Sequence, residues 1–130
     1  MLERCESIGS CLRPLESVIR LLSHQYTVSL VLLSGRTDGS LRYSQIREGL
    51  AKEAEASISD STLSRTLSEL VDLGILSRKS FDEIPPHVEY SLTDSGRDLF
   101  HILEDLGVWS REQCHLGQLK IPSHGHGLGG

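Results

Sequence analysis

The chain lacks any apolar run near the ~20 residues that a membrane-spanning helix needs. Its longest candidate, Val28 to Leu33, suits a buried helix core. No secretory leader is expected either, because Glu3, Arg4, Cys5 and Glu6 interrupt any apolar stretch at the start. A cytoplasmic location, away from membranes, is the expectation that follows. Cysteine is scarce: Cys5, Cys11 and Cys114 are too few and too scattered for a disulfide framework, and an odd number points to reduced thiols. No C-x2-C or H-x3-H spacing offers a zinc site. Cys114-His115, with His124 and His126 further on, comes nearest, but adjacent Cys-His is not a zinc pairing. No nucleophile motif, Gly-rich phosphate loop or paired His/carboxylate cluster is present. Neither catalysis nor a metal or cofactor is expected.

Excess positive charge is missing too. Thirteen Lys and Arg face eighteen Asp and Glu, for a net charge of −5. That argues mildly against nucleic acid, whose phosphates attract cations. Charge on one face matters more than the total. Between Leu41 and Ser80 six basic residues (Arg42, Arg47, Lys52, Arg65, Arg78, Lys79) balance six acidic ones, so this stretch is neutral within an acidic chain. A 38% apolar share, mean hydropathy of −0.17 and 130 residues suit one soluble domain.

Periodicity then organises the chain. Leu12, Leu15, Val18 or Ile19, and Leu22 recur at helical spacing, with Pro14 tolerable in a first turn. Tyr26 to Leu33 reads as a helix apolar on nearly every face, and residues 34–40, with two glycines, as a loop. Tyr43 to Leu50 forms a short helix with Ile46 and Leu50 inward; residues 52–57 either extend it or turn loosely. The next helix is the best marked. Ser59 is a good N-cap, Asp60 suits the positive end of the helix dipole, and Gly74 supplies a left-handed stop. Leu63, Leu67 and Leu70 face inward, while Ser61, Thr62, Ser64, Arg65 and Ser68 share the other face.

Leu76 to Phe81 and Val88 to Leu92 read as paired strands, joined by a turn that holds Pro85 and Pro86, residues that cannot donate to a ladder. Thr93 caps a last helix with a stripe of Leu99, Ile102 or Leu103, Leu106 and Trp109. Residues 1–11 form an arm, 12–112 one domain, and 113–130 a tail without periodicity. A helix presenting small polar side chains, then a two-stranded wing with a Pro-stiffened turn, is the order of an α+β, mainly helical winged helix-turn-helix.

Taken together these segments resemble the HxlR family of winged helix-turn-helix transcriptional regulators, from about Pro14 to Trp109. The resemblance is carried by Gln25-Tyr26-Thr27, by Arg42-Tyr43-Ser44-Gln45-Ile46, and by Ile58-Ser59-x3-Leu63-x3-Leu67-x2-Leu70-x3-Gly74-Ile75-x2-Arg78. Most specific is Pro85-Pro86-x-Val88-Glu89-Tyr90-x-Leu92-Thr93-x2-Gly96-x2-Leu99. It implies a homodimer joined by its first and last helices, here through Leu15, Ile19, Leu22, Leu99, Ile102, Leu106 and Trp109, with two recognition helices in successive major grooves. A last-helix stripe more apolar than one small domain needs supports the same pairing.

On that reading Ser59, Ser61, Thr62, Ser64, Arg65 and Ser68 meet double-stranded DNA, and Arg42, Arg78 and Lys79 clamp phosphates. Asp82 and Glu83 stand at the wing tip, where a cation would be welcome, so an interaction or dimerisation module without duplex binding is the alternative. Some family members sense electrophiles or oxidants through a cysteine before a proline near the N-terminus. Here Arg13 precedes Pro14, and Cys11 is the candidate sensor with Arg13 as its neighbouring cation. A small-molecule or redox effector is compatible with this pattern.

Overall fold

The computed structural model describes residues 4–54 and 57–120. In chain order they form α1 (Ile8–Leu22), α2 (Thr27–Arg36), β1 (Leu41–Arg42), α3 (Tyr43–Ala54), α4 (Asp60–Asp72), β2 (Leu76–Phe81), β3 (His87–Leu92) and α5 (Asp94–His115). The three strands make one antiparallel sheet in the order β1-β3-β2. The fold is a winged helix-turn-helix of the α+β class, with one addition to the expected two-stranded wing. Leu41 and Arg42 pair with Tyr90 and Glu89 and so put a third strand on the far edge of β3. Two residues carry no readable alternation, and burial of Leu41 in the core is what places them.

The main core gathers Leu30 from α2, Ile46 and Leu50 from α3, Leu63, Leu67 and Leu70 from α4, Leu76 from β2, and Ile58. These are the inward positions of the expected helices, and the i, i+4, i+7 spacing of α4 accounts for their shared face. A second cluster, Val31, Phe100 and Leu103, joins α2 to α5. Leu30 and Val31 thus face different clusters, as an α2 apolar around most of its circumference requires.

Several boundaries differ from the pattern-based reading. Ser34, Gly35 and Arg36 continue α2 rather than opening a loop. Gly35 sits there because α5 crosses close by: a Cβ would lie 2.1 Å from the Phe100 ring. Glycine in this helix is a packing residue. The charged stretch after Leu50 extends α3 through Ala54, and the rest of that question lies at residues outside those described. Tyr26 is not the first helical residue but the N-cap of α2, at a left-handed φ of 70°, a conformation whose cost of order 1–3 kcal/mol is offset by packing of its ring on the main core.

The first helix begins earlier than expected. Ser7 and Ser10 form a reciprocal capping box, and the helix starts at Ile8. Pro14 therefore lies in the second turn, where it removes a backbone hydrogen bond. No residue of α1 is fully buried; Leu21 and Leu22, in its last turn, are the ones packed on the core clusters. The last helix is long, 22 residues, and ends in a turn closed by Gln118 N–H donating to Gln113 carbonyl. The boundaries drawn at 11/12 and 112/113 thus fall inside α1 and α5. Residues 121–130, with His124 and His126, lie outside the described residues. Among those described, no helix is long and apolar enough to cross a membrane, and no group of three His, Cys, Asp or Glu is placed to hold a metal ion.

Candidate nucleic-acid interface

The helix α4 has two chemically distinct faces. Leu63, Thr66, Leu67 and Leu70 are buried against the core, and Thr66 returns its hydroxyl to the Thr62 carbonyl at 2.9 Å. Ser61, Ser64, Arg65 and Ser68, at i, i+3, i+4 and i+7, are exposed together and line one outward stripe. Among the described residues nothing forms an ion pair with Arg65. Three serine hydroxyls around one free guanidinium, on a helix immobilised from behind, can meet base edges and phosphates.

Ser59 and Thr62 do different work. The Ser59 hydroxyl accepts from Thr62 N–H at 3.2 Å and donates to Thr62 Oγ1 at 2.9 Å. The Ser59 hydroxyl thereby caps the helix, as its N-cap assignment requires. The pair fixes the helix start, and the Thr62 O–H keeps its own proton to donate.

The helix before it is braced to this start. Tyr43 Oη donates to Asp60 Oδ1 at 2.9 Å, and the Arg47 guanidinium lies 3.5 Å from the same oxygen. Arg47 is a cation at the edge of the candidate interface that periodicity alone did not single out; its spacing from Tyr43 on α3 is the signal that was available. Both members of the ion pair are at least half exposed, so its contribution is small. Asp60→Asn is expected to lower stability by at most about 1 kcal/mol, measured by urea unfolding. A loss of several kcal/mol would show that the brace governs the fold rather than trimming helix placement.

The three expected phosphate clamps do not act alike. Successive residues of β2 point to opposite faces. Arg78, opposite Tyr90 and two residues from buried Leu76, belongs to the core side of the sheet, where its guanidinium extends to donate to Ser80 Oγ at 3.2 Å. Lys79 lies on the outer face. There it stands directly across from Glu89 in β3, and Arg42 stands across from Glu89 on the other side. The outer face thus carries a cation–anion–cation row by register, while the Glu89 carboxylate itself is held by Ser40 and His87.

The candidate interface residues of the first and last helices divide in the same way. Leu22 and Leu99 pack within the protomer, on the Val31–Phe100–Leu103 cluster. Leu15, Ile19, Ile102, Leu106 and Trp109 are exposed, Trp109 at 51%. Ile8 and Leu12 extend the α1 stripe by two further turns, and Leu116 continues that of α5.

The cysteines are placed unequally. Cys5 and Cys11 lie side by side, with Cα atoms 6.0 Å apart, a separation that a disulfide can span, and Cys114 is exposed and apart from them. The cation lining the hollow around the pair is Arg4, not Arg13, because Arg13 follows Cys11 by two helical positions and leaves from another side of α1.

Comparison with known proteins agrees with this geometry. An HTH-type transcriptional regulator of Methanothermobacter thermautotrophicus, itself uncharacterized, is 40% identical over 83 residues, covering 64% of this chain and 59% of that protein's length. The reduced form of the transcriptional regulator YodB from B. subtilis superposes with a TM-score of 0.66 at 26% identity, over 78% of this chain and 93% of its own. The redox regulator HypR in its reduced form gives 0.66 at 28%, over 79% and 95%. A family model for the HxlR-like helix-turn-helix matches residues 21–118, which spans α2 through the end of α5, and to that family of regulators the chain belongs.

Proposed function

We propose that the chain is a sequence-specific, double-stranded-DNA-binding transcriptional regulator that acts as a homodimer at promoter operators. The carrying observation is α4: an outward stripe of Ser61, Ser64, Arg65 and Ser68 on a helix whose other face is locked into the core. Helix-turn-helix geometry puts such a stripe in the major groove, and a two-fold dimer sets its two copies about 34 Å apart on the duplex. The dimer is supported by α1. A helix with an interior proline and no buried residue is marginal alone, and its stripe from Ile8 to Ile19 gains stability when a second copy covers it.

A second reading, an interaction module without duplex binding, draws on Asp82 and Glu83 at the wing tip and on Glu89 between Arg42 and Lys79. The two readings separate in a salt-dependent gel shift on the gene's own upstream region. Specific retardation that weakens steeply with salt is expected for the regulator; absence of binding to any duplex at low salt supports the module instead. Arg65→Ala is expected to cost about 1–3 kcal/mol and to relax preference at one base position. An unchanged operator preference would remove Arg65 from the reading residues.

A further inference from the structure

A histidine is held between two carboxylates in the wing, away from the reading helix. His87 begins β3 opposite Phe81 of β2. Their rings stack, with centroids 4.6 Å apart and planes 13° from parallel. The stack leaves the two ring nitrogens pointing to different anions. Nε2 lies 3.0 Å from Glu89 Oε2 in the strand, and Nδ1 lies 3.9 Å from Glu83 Oε2 in the turn. The His87 side chain is 14% exposed, so little water replaces either partner.

A neutral imidazole owns one N–H and one lone pair. With the N–H given to Glu89, Nδ1 turns its lone pair toward the Glu83 carboxylate, and 3.9 Å is beyond hydrogen-bond reach. An imidazolium donates from both nitrogens. Glu89 is the fixed partner. It accepts from Ser40 Oγ at 2.5 Å. The hydrogen bond from Ser40, then that from His87, holds its carboxyl below the usual carboxylate range. A carboxyl lowered in this way contributes stability above its unfolded value and loses it only as pH falls through the lowered one. Glu89 therefore stays ionised across pH 5–8, where imidazoles change charge. The movable partner is Glu83, exposed in the turn. The other charges facing the group are cations: Lys79, whose Nζ is 5.2 Å from the Phe81 centroid, Arg42, across from Glu89, and Arg97 of α5, which lines the same hollow as Lys79, Phe81 and Glu89.

We propose that His87 is a proton-dependent positioning residue for the wing: on protonation it draws Glu83 onto Nδ1 and fastens turn 82–86 to the strands. The same step adds one positive charge, which offsets the carboxylate of Glu83 at the tip. Duplex affinity then rises as pH falls, a consequence that rests on the DNA-binding reading; the fastening does not.

The test has two arms, both on the full chain. Hydrogen exchange of the amides of Asp82, Glu83, Ile84, His87 and Val88, corrected for intrinsic rate, is compared at pH 6 and pH 8 in wild type, Glu83→Gln and His87→Gln. About threefold greater protection at pH 6 is expected for wild type, from one exposed charge-assisted contact, and no difference in either variant. Equal corrected protection in wild type at both values overturns the proposal. The second arm measures affinity for an operator duplex at fixed salt. About threefold tighter binding at pH 6 is expected, with Glu83→Gln at pH 8 approaching wild type at pH 6. A full pH response retained in His87→Gln assigns it to another histidine, such as His24 beside Glu69, and also overturns the proposal. Failure of wild type to bind any duplex refutes the DNA-binding reading, while the exchange arm still decides the fastening.

Discussion

Trp109→Glu is expected to yield a folded monomer whose operator affinity is lower by about two orders of magnitude or more. The indole is half exposed and continues a stripe with Ile102 and Leu106 on α5, matched by Ile8, Leu12, Leu15 and Ile19 on α1. Neither stripe takes part in the main protomer core, so changing Trp109 leaves folding intact. At an interface, a buried aromatic of this kind contributes at least about 2 kcal/mol. Glutamate adds the cost of desolvating a charge with no partner. In the proposed homodimer, loss of the pairing would separate two reading helices whose joint binding exceeds that of either alone by about 10²–10⁴-fold. Light scattering gives the association state, circular dichroism the fold, and a gel shift the affinity. A dimeric Trp109→Glu protein with unaltered affinity would place the interface elsewhere.

Gly96→Ala is expected to destabilise the domain by about 3 kcal/mol, at the upper end for overpacking. Gly96 is buried in the first turn of α5. A Cβ there would stand 2.1 Å from the Ile75 carbonyl oxygen and 3.0 Å from Leu92 Cδ2. The obstacle is backbone, which does not swing aside as a side chain does. That carbonyl is also occupied: Thr93 N–H donates to it at 3.1 Å, and the Thr93 hydroxyl spans it and the Gly74 carbonyl at 3.2 and 2.5 Å. Moving it loosens the joint by which α4, β2 and α5 meet. The helix-propensity gain of alanine over glycine, about 1 kcal/mol, runs the other way and is smaller. A loss of this size lowers the melting temperature of a domain of this length by roughly 10 °C or more. A thermal melt equal to or above wild type would show that Ile75 gives way without cost.

Much of the interface was legible because its signals are local. Ser59, Asp60 and Gly74 mark the ends of α4 by capping chemistry that acts within one turn, and the Leu63–Leu67–Leu70 spacing names its buried face. Thr93 announces the start of α5 in the same way, by accepting from Gly96 N–H at 3.0 Å. Which hydroxyls join the cap was not legible. Ser59, Ser61, Thr62 and Ser64 look alike in sequence, and hydrogen-bond geometry alone ties Ser59 to Thr62 and brings Ser61 within 3.4 Å of Ser59. Arg42, Arg78 and Lys79 likewise look like one basic set until strand register puts Arg78 on one face of the sheet and the other two beside Glu89 on the opposite face.

The sequence by itself therefore determined the helix-turn-helix, the wing and the family, since periodicity, caps and turn residues each act over a few neighbouring positions. The tertiary structure decided what depends on groups far apart in the chain. It recruits Leu41 and Arg42 as a third strand, explains Gly35 and Gly96 by Phe100 and Ile75, and sets His87 between Glu83 and Glu89. It also leaves α1 without a buried face of its own. Packing distances, register and exposure belong to pairs of elements, and no local pattern encodes them.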